Sequence, residues 1–228
     1  MKIEIKHTCE NFTSFRAEKV KSLFNAESGH TWQHTAELPI EGDDWQIGLI
    51  VGPSGSGKTS IGKQIWNNGI INLFEGWSEN LPIVEDIAPH KSTNEVTAAL
   101  SAVGLGDVPA WLRPFKVLSN GEQFRAGLAR LICEDYDKVI VDEFTSVVDR
   151  QIAKIGASAF AKSWRRNGKK QIILLSCHYD IVEWLQPDWA YDTREGVCRK
   201  KSQAVPLSNS TFSRRTAVTG SFLKSITI

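Results

Sequence analysis

Eight residues, Gly52-Pro53-Ser54-Gly55-Ser56-Gly57-Lys58-Thr59, follow the pattern Gly-x4-Gly-Lys-Ser/Thr. An apolar run, Trp45 to Val51, leads into them, and a helical pattern from Lys58 to Trp66 leads out. Glycine lets the backbone curl until successive N–H groups converge on phosphate oxygens. The helix that follows adds the positive end of its dipole. Gly52, Pro53, Ser54, Gly55, Ser56, Gly57 and Ser60 then form an expected cradle. Lys58 is expected to reach the β- and γ-phosphates, and the Thr59 hydroxyl to ligate Mg²⁺. This chemistry is the binding of a nucleoside triphosphate with its metal ion.

A second set of groups ends a short apolar strand, Lys138-Val-Ile-Val-Asp142-Glu143. In an open α/β sheet ligands bind beyond the carboxyl ends of the strands, which would bring these acids beside the phosphates. Asp142 is suited to holding Mg²⁺ through its waters, and Glu143 to polarising an attacking water as general base.

A third set is Leu118-Ser119-Asn120-Gly121-Glu122-Gln123, running on into Phe-Arg-Ala-Gly-Leu-Ala-Arg-Leu. This reads as a tight turn opening a helix, with Ser119, free N–H groups and a positive helix end offered to an anion. It resembles the LSGGQ-type signature of the ATP-binding cassette (ABC) family. Asn120 stands where that family has glycine, a mild departure if the position is left-handed, which asparagine tolerates. Thr145-Ser-Val-Val-Asp149 is similar to the family's D-loop. His178, after Gln171-Ile-Ile-Leu-Leu-Ser176, is similar to its switch histidine. The resemblance covers about residues 20–200. It implies a phosphate-loop NTPase core of ABC type in the α/β class, with ATP and Mg²⁺ as cofactors. It also implies two copies packed head to tail, each nucleotide lying between one copy's loop and the other's Ser119, Asn120, Gly121, Glu122 and Asp149. Lys58, Glu143 and His178 become the expected catalytic groups. An aromatic ahead of the loop usually stacks on adenine; Phe24 is the first candidate and Trp32 the second.

Two features depart from transporter cassettes. Lys58 and Ser119 are 61 residues apart, a shortened helical lobe at about residues 80–135. Near Pro82-Ile-Val-Glu85-Asp86, acids stand where a coupling glutamine is expected. The run from Ser163 to Trp189 resembles a group of soluble ABC ATPases, some fused to an acetyltransferase-like domain.

The remaining chain must position these groups. Lys2–Thr8 alternates as a half-buried strand, followed by an irregular polar stretch. Ser92-x-x-Glu95 is a capping-box start for a helix through Val103. Pro109 and Pro114 break the chain before a helix at about Glu122–Ile132. Residues 150–165 read as a helix ended by Asn167-Gly168, and Gln171–Leu175 as a strand. Strands alternating with helices predict a parallel sheet covered on both faces. One ATPase domain is expected at 1–202. Residues 203–228, with nine Ser or Thr, read as a poorly ordered tail or the start of something truncated.

Composition is that of a globular chain: 228 residues, 41% hydrophobic and 23% charged. Net charge is +1, so nothing global argues for nucleic acid or an acidic membrane. The clusters Arg165-Arg166-Asn-Gly-Lys169-Lys170 and Arg199-Lys200-Lys201 read as solvated helix ends and loops. The four cysteines lack zinc spacing. No run is long enough to span a membrane, and no signal-peptide core opens the chain. The expectation is a cytoplasmic ATPase that dimerises on ATP and drives an unidentified protein partner, without membrane insertion. The alternatives are the nucleotide-binding subunit of a membrane transporter and a nucleic-acid-associated SMC-like ATPase; the absence of a heptad run counts against the latter.

Overall fold

The structure is a computed structural model that describes residues 1–25, 31–42, 44–67, 69–166, 168 and 170–201, apart from the Trp32 side chain. Residues 203–228, expected as a poorly ordered tail, lie outside the described residues, as does Asn167. Among those described, no helix is long and apolar enough to cross a membrane.

A six-stranded sheet carries the molecule. Its strands are β3 (Ile47–Val51), β4 (Ile70–Asn72), β5 (Lys138–Asp142), β6 (Gln171–Ser176), β7 (Trp189–Asp192) and β8 (Val197–Lys200). Their order is β4-β5-β6-β3-β7-β8, parallel throughout except for β8, which runs antiparallel to β7. The expectation of a parallel sheet is thus corrected at one edge, where a short turn at 193–196 returns the chain directly as a hairpin.

The three central strands are apolar at nearly every position because both of their faces are covered. Ile47, Leu49, Val51, Val139, Val141, Ile172 and Leu174 enter one buried cluster. The alternate residues Ile50, Ile140, Ile173 and Leu175 enter the other. This is the period-two alternation of a strand, with each side chain worth about 1.5–3 kcal/mol on full burial.

The first face is covered by helices. They are α4 (Thr93–Ala102), α6 (Asn120–Cys133), α7 (Arg150–Arg166) and α8 (Ile181–Leu185), with the short turns α3 (Ile83–Asp86) and α5 (Val108–Trp111). Between β4 and β5 every regular element is helical. The second face is covered by α2 (Lys58–Ile65) and by a separate two-stranded antiparallel sheet, β1 (Lys2–Thr8) with β2 (Thr31–Glu37). Ile3, Ile5 and Ala36 of this small sheet, with Leu38 just after it, pack with Ile61 of α2. The stretch read as irregular therefore holds β2 and also α1 (Phe15–Phe24), a helix with no buried residue. With no face in the core, α1 shows no apolar periodicity to read.

Gly48 illustrates how tightly the sheet is packed. A Cβ there would stand 2.2 Å from the ring of Trp189, which is 2% exposed and meets Trp45 edge-on at 5.3 Å. Gly48→Ala should cost about 3 kcal/mol as overpacking, a fall of about 6–12 °C in Tm for a chain of this size. A melting curve matching wild type would contradict this account of the β3–β7 contact.

Candidate functional site

β3 ends at Val51 and α2 begins at Lys58, so the glycine-rich residues form the connecting loop. Gly55 and Gly57 take φ of 76° and 85°, the left-handed region that glycine enters without strain. Gly57 is the N-cap of α2 and offers no side-chain cap, which leaves the first N–H groups of the helix open to a ligand. The Lys58 ammonium turns back onto the loop, donating to the carbonyls of Gly52 and Pro53, each at 2.8 Å. Pro53, Ser54 and Gly55 are exposed; Ser56, Gly57 and Ser60 are half-buried. Ser60 Oγ lies 2.9 Å from His7 Nε2, which ties α2 to the small sheet.

The acids at the end of β5 meet this loop. Thr59 Oγ1 donates to Asp142 Oδ2 at 2.8 Å, across 83 residues of sequence. Asp142 Oδ1 accepts the Glu143 N–H at 2.8 Å. Glu143 is exposed and has φ 51°; Thr145 is buried and has φ 68°. Left-handed backbone at non-glycine residues, one of them β-branched, costs about 1–3 kcal/mol each and is held only by surrounding structure. That support is visible. The Phe144 N–H donates to the Leu175 carbonyl at 2.9 Å, and Arg150 Nη1 donates to Thr145 Oγ1 at 3.2 Å.

His178 follows β6 and is half-buried. Its N–H donates to Ser176 Oγ at 3.1 Å, and that hydroxyl donates to the Phe144 carbonyl at 2.9 Å. The histidine segment is thereby fastened to the residue after Glu143. Burial, then the charge of Arg150, hold the imidazole below its ordinary value, while Asp180 opposes them. Both leading causes favour the neutral imidazole over the charged one. Asp149 precedes α7, and its Oδ1 accepts the Gln151 N–H at 2.8 Å.

Ser119, Asn120, Gly121 and Glu122 lie apart from these groups in sequence, at the start of α6. Ser119 is its N-cap, in a complete capping box with Glu122. Glu122 Oε2 accepts from the Ser119 N–H at 2.8 Å and from its hydroxyl at 2.6 Å. These bonds, with Arg125 and Arg113 nearby, hold the Glu122 carboxyl below the usual carboxylate range. Asn120 is the first helical residue and its φ is not positive, so the left-handed tolerance expected of it is not called on. Gly121 is small for a packing reason, since a Cβ there would lie 2.8 Å from Ile152 of α7.

Phe24 ends α1 at 75% exposure. Trp32 pairs through its backbone with His7, and its side chain lies outside the described residues. Glu85 is exposed, and Asp86 accepts the Ser78 N–H at 2.8 Å.

Three features near the site had no sequence signal. Asn72 ends β4 in register with Asp142. Arg150 forms an ion pair with Asp180, with its Nε 3.0 Å from Oδ2, and lies 4.9 Å from the centre of the Trp184 ring. Thr193 hydrogen-bonds Ser56. A helical start rich in Arg and Lys is too common to single out Arg150, and Asn72 and Thr193 belong to no spaced motif.

No protein-family model matches the chain. Among curated proteins it is 23% identical over 213 residues to the phosphonates import ATP-binding protein PhnC 1 of Synechococcus sp. (strain JA-2-3B'a(2-13)), covering 72% of this chain and 79% of that one. It is 24% identical over 193 residues to the taurine import ATP-binding protein TauB of Pelagibacter ubique (strain HTCC1062), covering 69% and 71%. Among solved structures it superposes on the dimeric bacterial ABC transporter cassette MJ0796 with a TM-score of 0.57 at 15% identity, covering 75% of this chain and 92% of that one. A post-hydrolysis dimer of the same cassette, bound to ADP and Pi, matches with a TM-score of 0.57 at 14% identity and 88% and 99% coverage.

Proposed function

We propose that this chain, a member of the ATP-binding cassette ATPases, binds ATP with Mg²⁺ on the 52–60 loop and hydrolyses it between two copies packed head to tail. The observation that carries the reading is the 2.8 Å contact between Thr59 and Asp142 at the mouth of the loop. A hydroxyl and a carboxylate are hard oxygen donors, too few for a protein cage and suited to Mg²⁺, which keeps waters and phosphate oxygens as its other ligands. When bound there, Mg²⁺ supplies neutralisation of charge on the β- and γ-phosphates.

The chain's own groups do the rest. Loop N–H groups and the head of α2 hold the phosphates, and Lys58 exchanges its two carbonyl partners for phosphate oxygens. Glu143 takes a proton from the attacking water. His178, its backbone N–H held by Ser176, donates a ring N–H to an oxygen of the γ-phosphate. Ser119 and the open end of α6 face the nucleotide of the second copy, with Asp149 at the same seam. Phe24 is the candidate for stacking on adenine.

Hydrolysis drives a protein partner. Two relatives are import ATP-binding proteins, which favours a second reading in which that partner belongs to a membrane import system. None of the relatives and structural neighbours named above supports the nucleic-acid alternative. Purified chain is expected to release phosphate from ATP with Mg²⁺ in the absence of any membrane protein, and Lys58→Ala to abolish useful ATP binding. Release only on adding membranes would move the assignment to the transport reading. No release under either condition would remove it.

A further inference from the structure

The turn between β7 and β8 carries polar groups that the ATPase reading does not use. Thr193 is 7% exposed. Its N–H donates to the Val51 carbonyl at 2.9 Å, and its hydroxyl donates to Ser56 Oγ at 2.6 Å. A Cβ on Gly52 would lie 1.8 Å from the same Thr193 oxygen. One side chain therefore meets the phosphate loop at its first residue and in its middle, while its backbone is bonded to the strand that feeds it. Among the described residues of 52–57, Ser56 is the one whose side chain is hydrogen-bonded to a distant part of the chain.

The neighbouring residue reaches the other side of the site. Asp192 Oδ1 accepts from the Tyr179 phenol at 3.0 Å and from the Arg194 N–H at 2.8 Å. Tyr179 directly follows His178. Burial, then the bond to Asp192, push the phenol up to about 12, so it remains a donor across the working pH range. A continuous chain of contacts thus runs from the histidine segment through Tyr179, Asp192 and Thr193 to Ser56.

A loop built of glycine and serine has many conformations, and a set of converging N–H groups must be selected from them before phosphate binds. Selection made in advance by fixed contacts raises affinity without touching the ligand. We infer that Thr193 is a positioning residue that pre-forms the phosphate loop through Ser56, and that the β7–β8 turn is a strut joining this loop to the His178 segment. The inference rests on the ATPase reading of the loop.

Three substitutions test it on the full chain. Thr193→Val keeps the shape and removes the donor, Thr193→Ser keeps the donor, and Tyr179→Phe frees Asp192. The measurements are ATP KM and kcat for phosphate release, the Kd for ADP with Mg²⁺, and nucleotide-free Tm. Thr193→Val should raise KM and the ADP Kd about tenfold, as expected when the half-buried Ser56 hydroxyl is left without its partner, with kcat changed less than about twofold. Thr193→Ser should restore both constants to within about twofold of wild type, and Tyr179→Phe should raise KM about two- to threefold. Wild-type affinity in Thr193→Val overturns the strut alone. So does equal weakness in Thr193→Ser, which would assign the effect to packing, and so does a loss confined to kcat. A wild-type chain that binds no ADP overturns the ATPase reading, and the strut with it.

Discussion

Glu143→Gln is expected to lower ATP turnover by about 10²–10⁴-fold, the range lost with a general base, while leaving nucleotide affinity near wild type. The two effects separate because of where the residue sits. Glu143 is one position beyond the Thr59–Asp142 contact, exposed, with its own N–H engaged by Asp142. Glutamine has the same shape and can keep that backbone bond, so the loop and the metal-directed oxygens stay in place. It cannot accept a proton. Phosphate release measured beside equilibrium binding of ATP decides the matter. Hydrolysis at near wild-type rate in Glu143→Gln would strip the residue of its proposed role, and lost binding would make it a structural support for the left-handed turn at 143–145.

The parts of this chain that could be read in advance are those whose geometry is local. The loop between β3 and α2 is set by glycine spacing over eight residues. The strand ending in Asp142-Glu143 is marked by an apolar run, the capping box at Ser92–Glu95 depends on a separation of three, and the turn at Ser119 marks a helix start, whose capping box with Glu122 the structure adds. Elements held by distant partners were not visible. β2 finds its place only through pairing with β1, and α1 buries nothing that could impose a period. The reversal of β8 depends on a hairpin turn whose residues, Thr193 to Gly196, resemble any polar loop. The site divides along the same line. Lys58 and Thr59 open the helix that follows β3, and Asp142, Glu143 and His178 lie at or just beyond the ends of β5 and β6, the side on which an α/β sheet collects ligands. Thr193 acts across 137 residues of sequence and matches no pattern. Asn120 shows a subtler failure: its place in the motif suggested a left-handed turn, whereas the Ser119 cap lets it begin the helix directly.

Lys58→Ala and Ser119→Arg are each expected to be inactive alone, yet to regain about a quarter of wild-type activity when mixed in equal amounts. The first removes the cation that the proposed site directs at phosphate. The second puts a long side chain at the head of α6, where the second copy's γ-phosphate is proposed to sit, and breaks the Ser119–Glu122 capping box. In a head-to-tail dimer each site combines one copy's loop with the other's Ser119. A mixed dimer gathers both lesions into one site and leaves the other intact. Equal random mixing makes about half the dimers mixed, each with half its sites, so recovery is about one quarter for independent sites and exchangeable subunits. The measurement is phosphate release from the mixture against each variant alone. Because Ser119→Arg also disturbs a helix cap worth about 1 kcal/mol, its Tm is compared with that of Ser119→Ala, which loses the cap without adding bulk. Ser119→Ala should share the fall in Tm while keeping far more activity than Ser119→Arg. Full activity of Ser119→Arg on its own would reduce Ser119 to a helix cap and return the protein to a phosphate-loop ATPase whose site lies within one copy.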